Sequence, residues 1–122
     1  MYTVTVSEPF VAQHYLTVPD PGPEGELHSH RFEAEATFCG PELAEYGYLL
    51  DIDHAIEALE AVVETYRDET LNERLSGNPS AERLAEAIHA DLAARVTAPA
   101  VESLSVTVRE DETALVSYDA PI

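Results

Sequence analysis

Three histidines close together in the first quarter of the chain could bind a metal ion. His28 and His30 form an H-x-H pair, and His14 precedes them. Residues two apart on a β-strand point to the same face, so both imidazoles of such a pair can reach one ion. His14 would join them if the two segments pair as a hairpin. Three neutral imidazoles with an open fourth position are typical of a catalytic zinc site, and the pattern therefore predicts zinc as the cofactor. The alternative is a surface H-x-H without a ligand role.

The remaining histidines and the cysteine have simpler interpretations. Cys39 is the single cysteine, which excludes a disulfide framework within the chain and a CxxC metal site. A zinc site would therefore have to be built from histidines and carboxylates. His54 lies near a predicted helix start and is expected to be solvated. His89 lies at the edge of an apolar stripe and is expected to be partly buried packing.

Alternating residues predict two strands that would carry the histidines. The first covers residues 2–11, and His14 lies just after it. The second covers residues 28–39, where the H-x-H pair shares a face with the apolar residues of even number. Between them, residues 17–26 are rich in proline and glycine and are predicted to form a loop.

After the second strand the period of the apolar residues becomes helical. The apolar spacing predicts two helices, and two further alternating segments predict a hairpin joined by residues 110–112. The first helix is expected to begin with a cap at Asp51 or Asp53. The predicted helices cover residues 53–66 and 78 to the Ala98-Pro99-Ala100 segment, and the predicted strands cover 103–108 and 114–119. The order β-β-α-α-β-β indicates an α+β protein, with residues 1–122 as one domain.

The charge of the chain argues against a nucleic-acid partner. There are 24 acidic residues and 6 basic ones, all arginine, giving a net charge of −18. Such a field opposes every phosphate contact, which argues against nucleic acid. The acids are spread over patterned segments, so we interpret the charge as that of a folded protein from a high-salt cytoplasm. No apolar run approaches the about 20 residues that a membrane helix needs, and the first residues do not read as a signal peptide.

The order of these motifs resembles the 6-pyruvoyl-tetrahydropterin synthase and 6-carboxytetrahydropterin synthase family. The resemblance runs over nearly the whole chain, and it includes His28-Ser29-His30 where the family usually has His-Gly-His. Its other segments are Phe10–His14, Gly47–Asp51, Leu71-Asn72, Asn78–Ala85, Val108–Glu110, Thr113-Ala114 and Tyr118. Each segment alone is short, but their order and spacing together are specific.

The resemblance implies a fold, a substrate and an assembly. The family has the tunnelling fold, an antiparallel sheet with two helices on one face, whose subunits join their sheets into a barrel, usually as a hexamer of two trimers. The substrate is a small pterin, 7,8-dihydroneopterin triphosphate. Three histidines hold zinc, and a glutamate of the last hairpin anchors the pterin ring. By position that glutamate is Glu110, with Glu112 as the alternative.

The sequence departs from the family at two catalytic positions. The usual base is a cysteine four residues before the His pair, and here that residue is Glu24. The family's Asp-His dyad is replaced by Arg67-Asp68, so that Asp68 could supply only part of it, and His54 could help only if the fold brings it near. Family members with glutamate at the base position are associated with a lyase reaction that yields 6-hydroxymethyl-7,8-dihydropterin, a folate-type precursor.

Three alternatives remain open at the level of the sequence. The product could be a 6-pyruvoyl or 6-carboxy pterin, the latter of the queuosine or archaeosine type. The chain could bind zinc and pterin without the usual catalysis. A cupin-like metal-binding barrel is a third alternative, since Gly22, His28, His30, Glu35 and Gly40 nearly fit the first cupin motif, although the spacing to Gly40 differs. Two amphipathic helices disfavour such an all-β fold.

Overall fold

The computed structural model describes all 122 residues and confirms the predicted order of elements. Four strands form one antiparallel sheet in the order β1-β2-β3-β4, and both helices lie between the second and third strands in the chain. The elements are β1 (Tyr2–His14), β2 (His28–Gly40), α1 (Ile52–Glu64), α2 (Ala81–Arg95), β3 (Ser103–Glu110) and β4 (Ala114–Pro121). Short 3-10 turns cover Gly22–Gly25, Glu45–Gly47 and Leu71–Glu73.

The first strand is longer than its alternation predicted. It continues beyond residue 11 to His14, because pairing with β2 persists from Tyr2 opposite Gly40 to His14 opposite His28. His14 was predicted to lie just after the strand and is instead its last residue. The register, rather than a folded-back loop, therefore places His14 beside the H-x-H pair.

The core lies between one face of the sheet and the two helices. Strand residues of even number point to this face, including Phe10, Phe32 and Val106, each at most 2% exposed. Helix α1 packs on β1, and α2 packs on β3 and β4. The opposite face carries the residues of odd number, among which hydroxyl pairs such as Thr5 and Thr37 hydrogen-bond across strands. Both helices thus cover one face, as the sequence predicts, and Cys39 lies on the other face and is half-buried.

Both helices end earlier than predicted. Helix α1 begins at Ile52 because the Asp51 carboxylate accepts hydrogen bonds from the amides of Asp53 and His54, and it ends at Glu64 rather than residue 66. Helix α2 is capped by Ser80, and Val96 is already extended, so the helix stops before the Ala98-Pro99-Ala100 segment. Neither helix combines the length and the apolar character needed to cross a membrane.

His89 joins α2 to the sheet. Its side chain is buried, and its Nε2 lies 3.0 Å from the carbonyl oxygen of Leu104 and 3.4 Å from that of Ala120. Since both partners accept, Nε2 carries the proton and donates. His89 is therefore a packing residue with a satisfied ring.

Candidate metal centre

The three predicted histidines converge at one end of the sheet. His14 ends β1, while His28 and His30 begin β2, and the ring centroids lie 4.6 Å apart for His14 and His28, 4.8 Å for His28 and His30, and 5.2 Å for His14 and His30. One ring nitrogen of each lies within 4.8 Å of the others. Phe32 packs edge-on against His14 and His30 from the core side. The cluster therefore rests on paired strand ends rather than on a loop.

Each of the three rings has its Nδ1 held by an acceptor. His14 Nδ1 lies 2.8 Å from the carbonyl oxygen of Pro79, and His28 Nδ1 lies 2.7 Å from that of Glu26. His30 Nδ1 lies 2.7 Å from Oδ2 of Asp111. Carbonyl and carboxylate oxygens only accept, so every Nδ1 carries the ring proton and donates. Every Nε2 is consequently left with a free lone pair, the tautomer that a metal ligand requires.

The Nε2 atoms provide a test of whether a metal ion fits. Nε2 of His28 and Nε2 of His30 are buried and have no hydrogen-bond partner. Oε1 of Glu110 lies 2.9 Å from His30 Nε2, at ion-pair distance but outside hydrogen-bond geometry. An unpaired buried polar group lowers the free energy of unfolding by about 1–3 kcal/mol. The lone pairs of His30 Nε2 and Glu110 Oε1 face each other, so a proton or a cation is needed between them. Three nitrogen donors of this kind suit zinc, so the residues fit the predicted ion.

Burial also favours the form of His14 that binds metal. His14 is 4% exposed, and this burial lowers its pKa, an effect that the hydrogen bond to Pro79 partly opposes. The neighbouring His28 and His30 lower the pKa further. Because a metal competes with protons for the ring nitrogen, a neutral His14 keeps the cluster ready to bind at neutral pH.

Two of the predicted carboxylates lie at this cluster. Carboxylate oxygens of Glu24 and Glu110 and a ring nitrogen of His30 all lie within 4.8 Å of one another. Glu24 lies on the 3-10 turn Gly22–Gly25, and its side chain is exposed. The carbonyl oxygen of Glu24 accepts a hydrogen bond from the amide of Leu16, which holds this turn against the end of β1. Glu110 ends β3 opposite Phe32, which directs it toward His30. The alternative anchor, Glu112, is exposed, and its side chain makes no hydrogen bond or ion pair.

Asp68 lies at the edge of β1 and outside the histidine cluster. Its amide donates to the carbonyl oxygen of Val11, and its backbone is left-handed, with φ of 60°. With Arg31 and Arg67 it lines a cavity of about 270 Å³. Arg31 occupies an odd position on β2, on the face opposite the three histidines. Within one chain the structure therefore does not bring Asp68 together with the predicted ligands.

His54 lies at the far end of α2 from the cluster. Pro79, just before α2, contacts His14, whereas Arg95 at the end of α2 lines a cavity together with His54. A helix of 15 residues spans about 22 Å, which separates His54 from the three rings. A larger cavity of about 540 Å³ also lies at this far end, between Tyr48 and Pro99, and none of the three histidines lines it.

Two asparagines of the sequence motifs hold the start of the loop that carries Glu24. Asn72 accepts a hydrogen bond from the amide of Tyr15 at 3.0 Å and donates to its carbonyl oxygen at 2.9 Å. Asn78 accepts from the amide of Thr17 at 2.9 Å. These bonds fix the chain directly after His14, so both asparagines act on the site through the backbone.

Replacing Asn72 with alanine is expected to lower the free energy of unfolding by about 1–2 kcal/mol, since two hydrogen bonds to Tyr15 are lost. Asn72→Asp keeps the acceptor but loses the donor, and an intermediate loss is expected. Urea denaturation of the zinc-free protein measures both changes. Changes below about 0.5 kcal/mol, the range of ordinary surface substitutions, would show that the clamp is not structural.

Sequence reasoning missed the acceptors behind the three rings. Asp111 was assigned only to the hairpin link, and the carbonyl groups of Glu26 and Pro79 leave no signal in the sequence. The structure shows a hydrogen bond from His30 to Asp111, which lowers the pKa of that carboxyl, and a second from the amide of Arg31. The sequence shows only that Asp111 lies next to the candidate anchor Glu110. The register of β2 and β3 is needed to place Asp111 beside His30.

Comparison with known proteins gives one family and a set of similar structures. The family model described as 6-pyruvoyl tetrahydropterin synthase matches residues 3–121. The Caenorhabditis elegans 6-pyruvoyl tetrahydropterin synthase is 17% identical, with a TM-score of 0.83 over 98% of this chain and 95% of that one. A Plasmodium vivax 6-pyruvoyltetrahydropterin synthase in which a catalytic glutamate is replaced by alanine is 16% identical, with a TM-score of 0.85 over 99% and 98% of the two chains.

The likeness extends to a different pterin enzyme at lower similarity. A Burkholderia thailendensis dihydroneopterin aldolase, solved with bound guanine, is 14% identical, with a TM-score of 0.55 over 99% of this chain and 89% of that one. No curated protein sequence gave a significant match. At these identities the structural matches establish the fold alone, and they confirm the predicted arrangement of a four-stranded antiparallel sheet with two helices.

Proposed function

The chain belongs to the 6-pyruvoyl tetrahydropterin synthase family, and on that premise we propose that it is a zinc-dependent lyase acting on 7,8-dihydroneopterin triphosphate. Membership supports a lyase-type function in pterin biosynthesis. One observation carries the finer proposal. Three imidazoles whose Nδ1 atoms are held by acceptors each place a ring nitrogen within 4.8 Å of the others, and the carboxylates of Glu24 and Glu110 lie at one of them, His30.

His14, His28 and His30 are the proposed zinc ligands. Bound there, zinc would polarise the side-chain hydroxyl oxygens of the substrate and make the neighbouring protons more acidic. The protein contributes the orientation of the rings, which the acceptors at Nδ1 fix before any ion binds. The strand ends that carry the rings are paired in the sheet, so little ordering is required on binding.

Glu110 is the proposed anchor of the pterin ring. A carboxylate can accept two parallel hydrogen bonds from the amino group and an adjacent ring N–H of a pterin, a bidentate and charge-assisted pair. Glu110 is half-buried and lies next to His30, so a pterin held by it would have its side chain near the three ligands. Anchoring thus sets the distance between the ring and the reacting side chain.

Glu24 is the proposed base. Its carboxylate is exposed and lies beside His30, and it can take the proton of the C2′ hydroxyl group. The C1′–C2′ bond then breaks, the C2′ oxygen becomes an aldehyde, and the proton returns to C1′, giving 6-hydroxymethyl-7,8-dihydropterin. The Plasmodium vivax structures in which a catalytic glutamate is replaced by alanine or cysteine support a glutamate as a catalytic residue.

The assembly proposed for this function is a homo-oligomer, as in the hexamer that the family resemblance implies. β1 and β4 are the outer strands of the sheet, and such edges are normally covered or paired. Residues 68–70 pair with the edge of β1 only near Val11 and Gln13. Pairing the outer strands between subunits would also bring Asp68, at the edge of β1, next to another chain. Asp68 is retained on this basis as a proposed catalytic residue that acts across the subunit boundary.

The proposed activity is tested by incubating the zinc-loaded protein with 7,8-dihydroneopterin triphosphate in molar salt and identifying the product. We expect 6-hydroxymethyl-7,8-dihydropterin with release of the triphosphorylated two-carbon fragment, detected by chromatography and mass spectrometry. A 6-pyruvoyl or 6-carboxy product would show that the chain acts on this substrate by another reaction, and it would contradict the cleavage proposed for Glu24. Unchanged substrate in the presence of bound zinc would instead favour a zinc- and pterin-binding protein without catalysis.

A further inference from the structure

The acceptor behind His30 differs in kind from the acceptors behind the other two rings. His14 and His28 donate to the backbone carbonyl groups of Pro79 and Glu26, which are neutral. His30 donates to the carboxylate of Asp111, at 2.7 Å. A hydrogen bond to an ionised acceptor is about twice as strong as one between neutral groups. His30 is therefore the only one of the three rings whose Nδ1–H donates to a charged acceptor.

Asp111 is fixed on both sides by the backbone of β2. Its Oδ1 accepts a hydrogen bond from the amide of Arg31 at 3.1 Å, and its own amide donates to the carbonyl oxygen of Arg31 at 2.8 Å. Oδ2 remains for the His30 ring. The carboxylate thus has one oxygen for the strand and one for the imidazole, so it cannot turn away from His30 without losing a backbone bond.

The backbone of Asp111 has a left-handed conformation, which few residue types adopt without strain. Its φ is 51°, in the left-handed region, which asparagine and aspartate tolerate better than other side chains and glycine adopts freely. Turn geometry alone would therefore explain an asparagine, an aspartate or a glycine at position 111. It would not explain a carboxylate aimed at a ring nitrogen from a residue that is far away in the sequence.

Asp111 and Glu110 approach His30 from opposite sides of the ring. Glu110 Oε1 lies 2.9 Å from Nε2, and Asp111 Oδ2 lies 2.7 Å from Nδ1. Consecutive residues at a strand end therefore fix both the ring and the carboxylate proposed to hold the pterin. A shift of the turn would move both groups together.

We propose that Asp111 is a positioning residue, which fixes the His30 ring as its Nδ1–H tautomer and strengthens zinc binding through it. Asp111 itself touches neither the ion nor the substrate. This inference rests on the proposed zinc site and deepens it. Loss of such an outer hydrogen bond typically weakens metal affinity by about 10- to 100-fold.

Two substitutions separate the carboxylate from the turn. Asp111→Asn and Asp111→Gly both accept the positive φ, and both remove the charge, while the glycine variant also removes the acceptor. Glu112→Gln is the matched control, because it removes one charge from the same turn at an exposed side chain without hydrogen bonds. All variants are compared with the unmodified full-length chain.

The first measurement is zinc affinity by competition with a chromogenic chelator. We expect dissociation constants about 10-fold higher for Asp111→Asn and up to about 100-fold higher for Asp111→Gly, with Glu112→Gln within about twofold of the unmodified chain. Unchanged affinity in both Asp111 variants would overturn the proposal, and so would an equal loss in Glu112→Gln. If the unmodified chain binds no zinc, the proposed function fails before Asp111 is tested.

The second measurement is the tautomer of His30 in zinc-free protein, read from long-range ¹H–¹⁵N correlation spectra. The unmodified chain should show the Nδ1–H form, and Asp111→Gly should show a mixture with the Nε2–H form. A merely structural turn would lower the thermal midpoint without changing this signature. An unaltered His30 tautomer in Asp111→Gly would therefore overturn the proposal even if the variant were less stable.

Discussion

Replacing His28 with alanine is expected to abolish stoichiometric zinc binding. Three imidazoles form the proposed site, and His28 contributes a buried Nε2 that has no other partner. Two remaining nitrogens cannot complete a tetrahedral site with one open position. The loss should therefore exceed the about 10- to 100-fold that an outer-shell substitution costs. Metal content after dialysis against zinc-containing buffer, measured by mass spectrometry, gives the result directly.

The control for this experiment is His54→Ala. His54 lies at the other end of α2 from the cluster. The His54→Ala protein should therefore retain one zinc ion per chain. Circular dichroism of His28→Ala should still show both helices, because His28 contributes only part of its surface to the interior. Full zinc content in a folded His28→Ala protein would rule out the three-histidine site.

The part of the site that lies on one strand was predictable from the sequence. His28 and His30 alternate with outward residues on a segment whose even positions are apolar, so their common face follows from the period of two. The helices and their order followed from periodicity and caps in the same way. Bounds were less accurate, since Glu64 and Arg95 end helices whose apolar pattern continues for several residues.

The contribution of His14 depended on a long-range register. Its own segment lost the alternation after residue 11, and only the pairing of β1 with β2 extends the strand to His14. Pairing free energy is spread over the ladder, so local propensity does not reveal where it stops. The sequence could therefore predict His14 as a third ligand only by assuming that the two segments pair as a hairpin, and the family resemblance supported that assumption.

The acceptors behind the rings were beyond sequence reasoning for a physical reason. Any residue offers a carbonyl group, so the identity of Pro79 carries no information about its bond to His14. Asp111 is read locally as a turn residue, which its positive φ justifies. Its second function appears only when β3 is placed against β2. Asp68 stays a proposal, since the single chain leaves it at the edge of β1.

Replacing Glu24 with glutamine is expected to retain zinc and lose turnover. The amide keeps the size of the side chain but cannot take a proton, and general bases contribute about 10²- to 10⁴-fold to rate. Glu24 lies on an exposed turn, and the histidine cluster remains complete without it, so zinc content should stay at one per chain. Single-turnover formation of 6-hydroxymethyl-7,8-dihydropterin and metal analysis of the same sample measure the two quantities together.

The matched control is Asp20→Asn, which removes one charge from the same loop at an exposed residue whose φ of 52° suits asparagine. It should leave both zinc content and turnover close to those of the unmodified chain, which separates proton transfer from the general effect of charge near a triphosphate. Turnover in Glu24→Gln equal to that of the control would remove Glu24 as the base. Loss of zinc from Glu24→Gln would make Glu24 a fourth ligand instead, because its carboxylate lies close enough to His30 to share an ion. The base would then have to come from another residue, and Asp68 of an adjacent subunit would be the first to test.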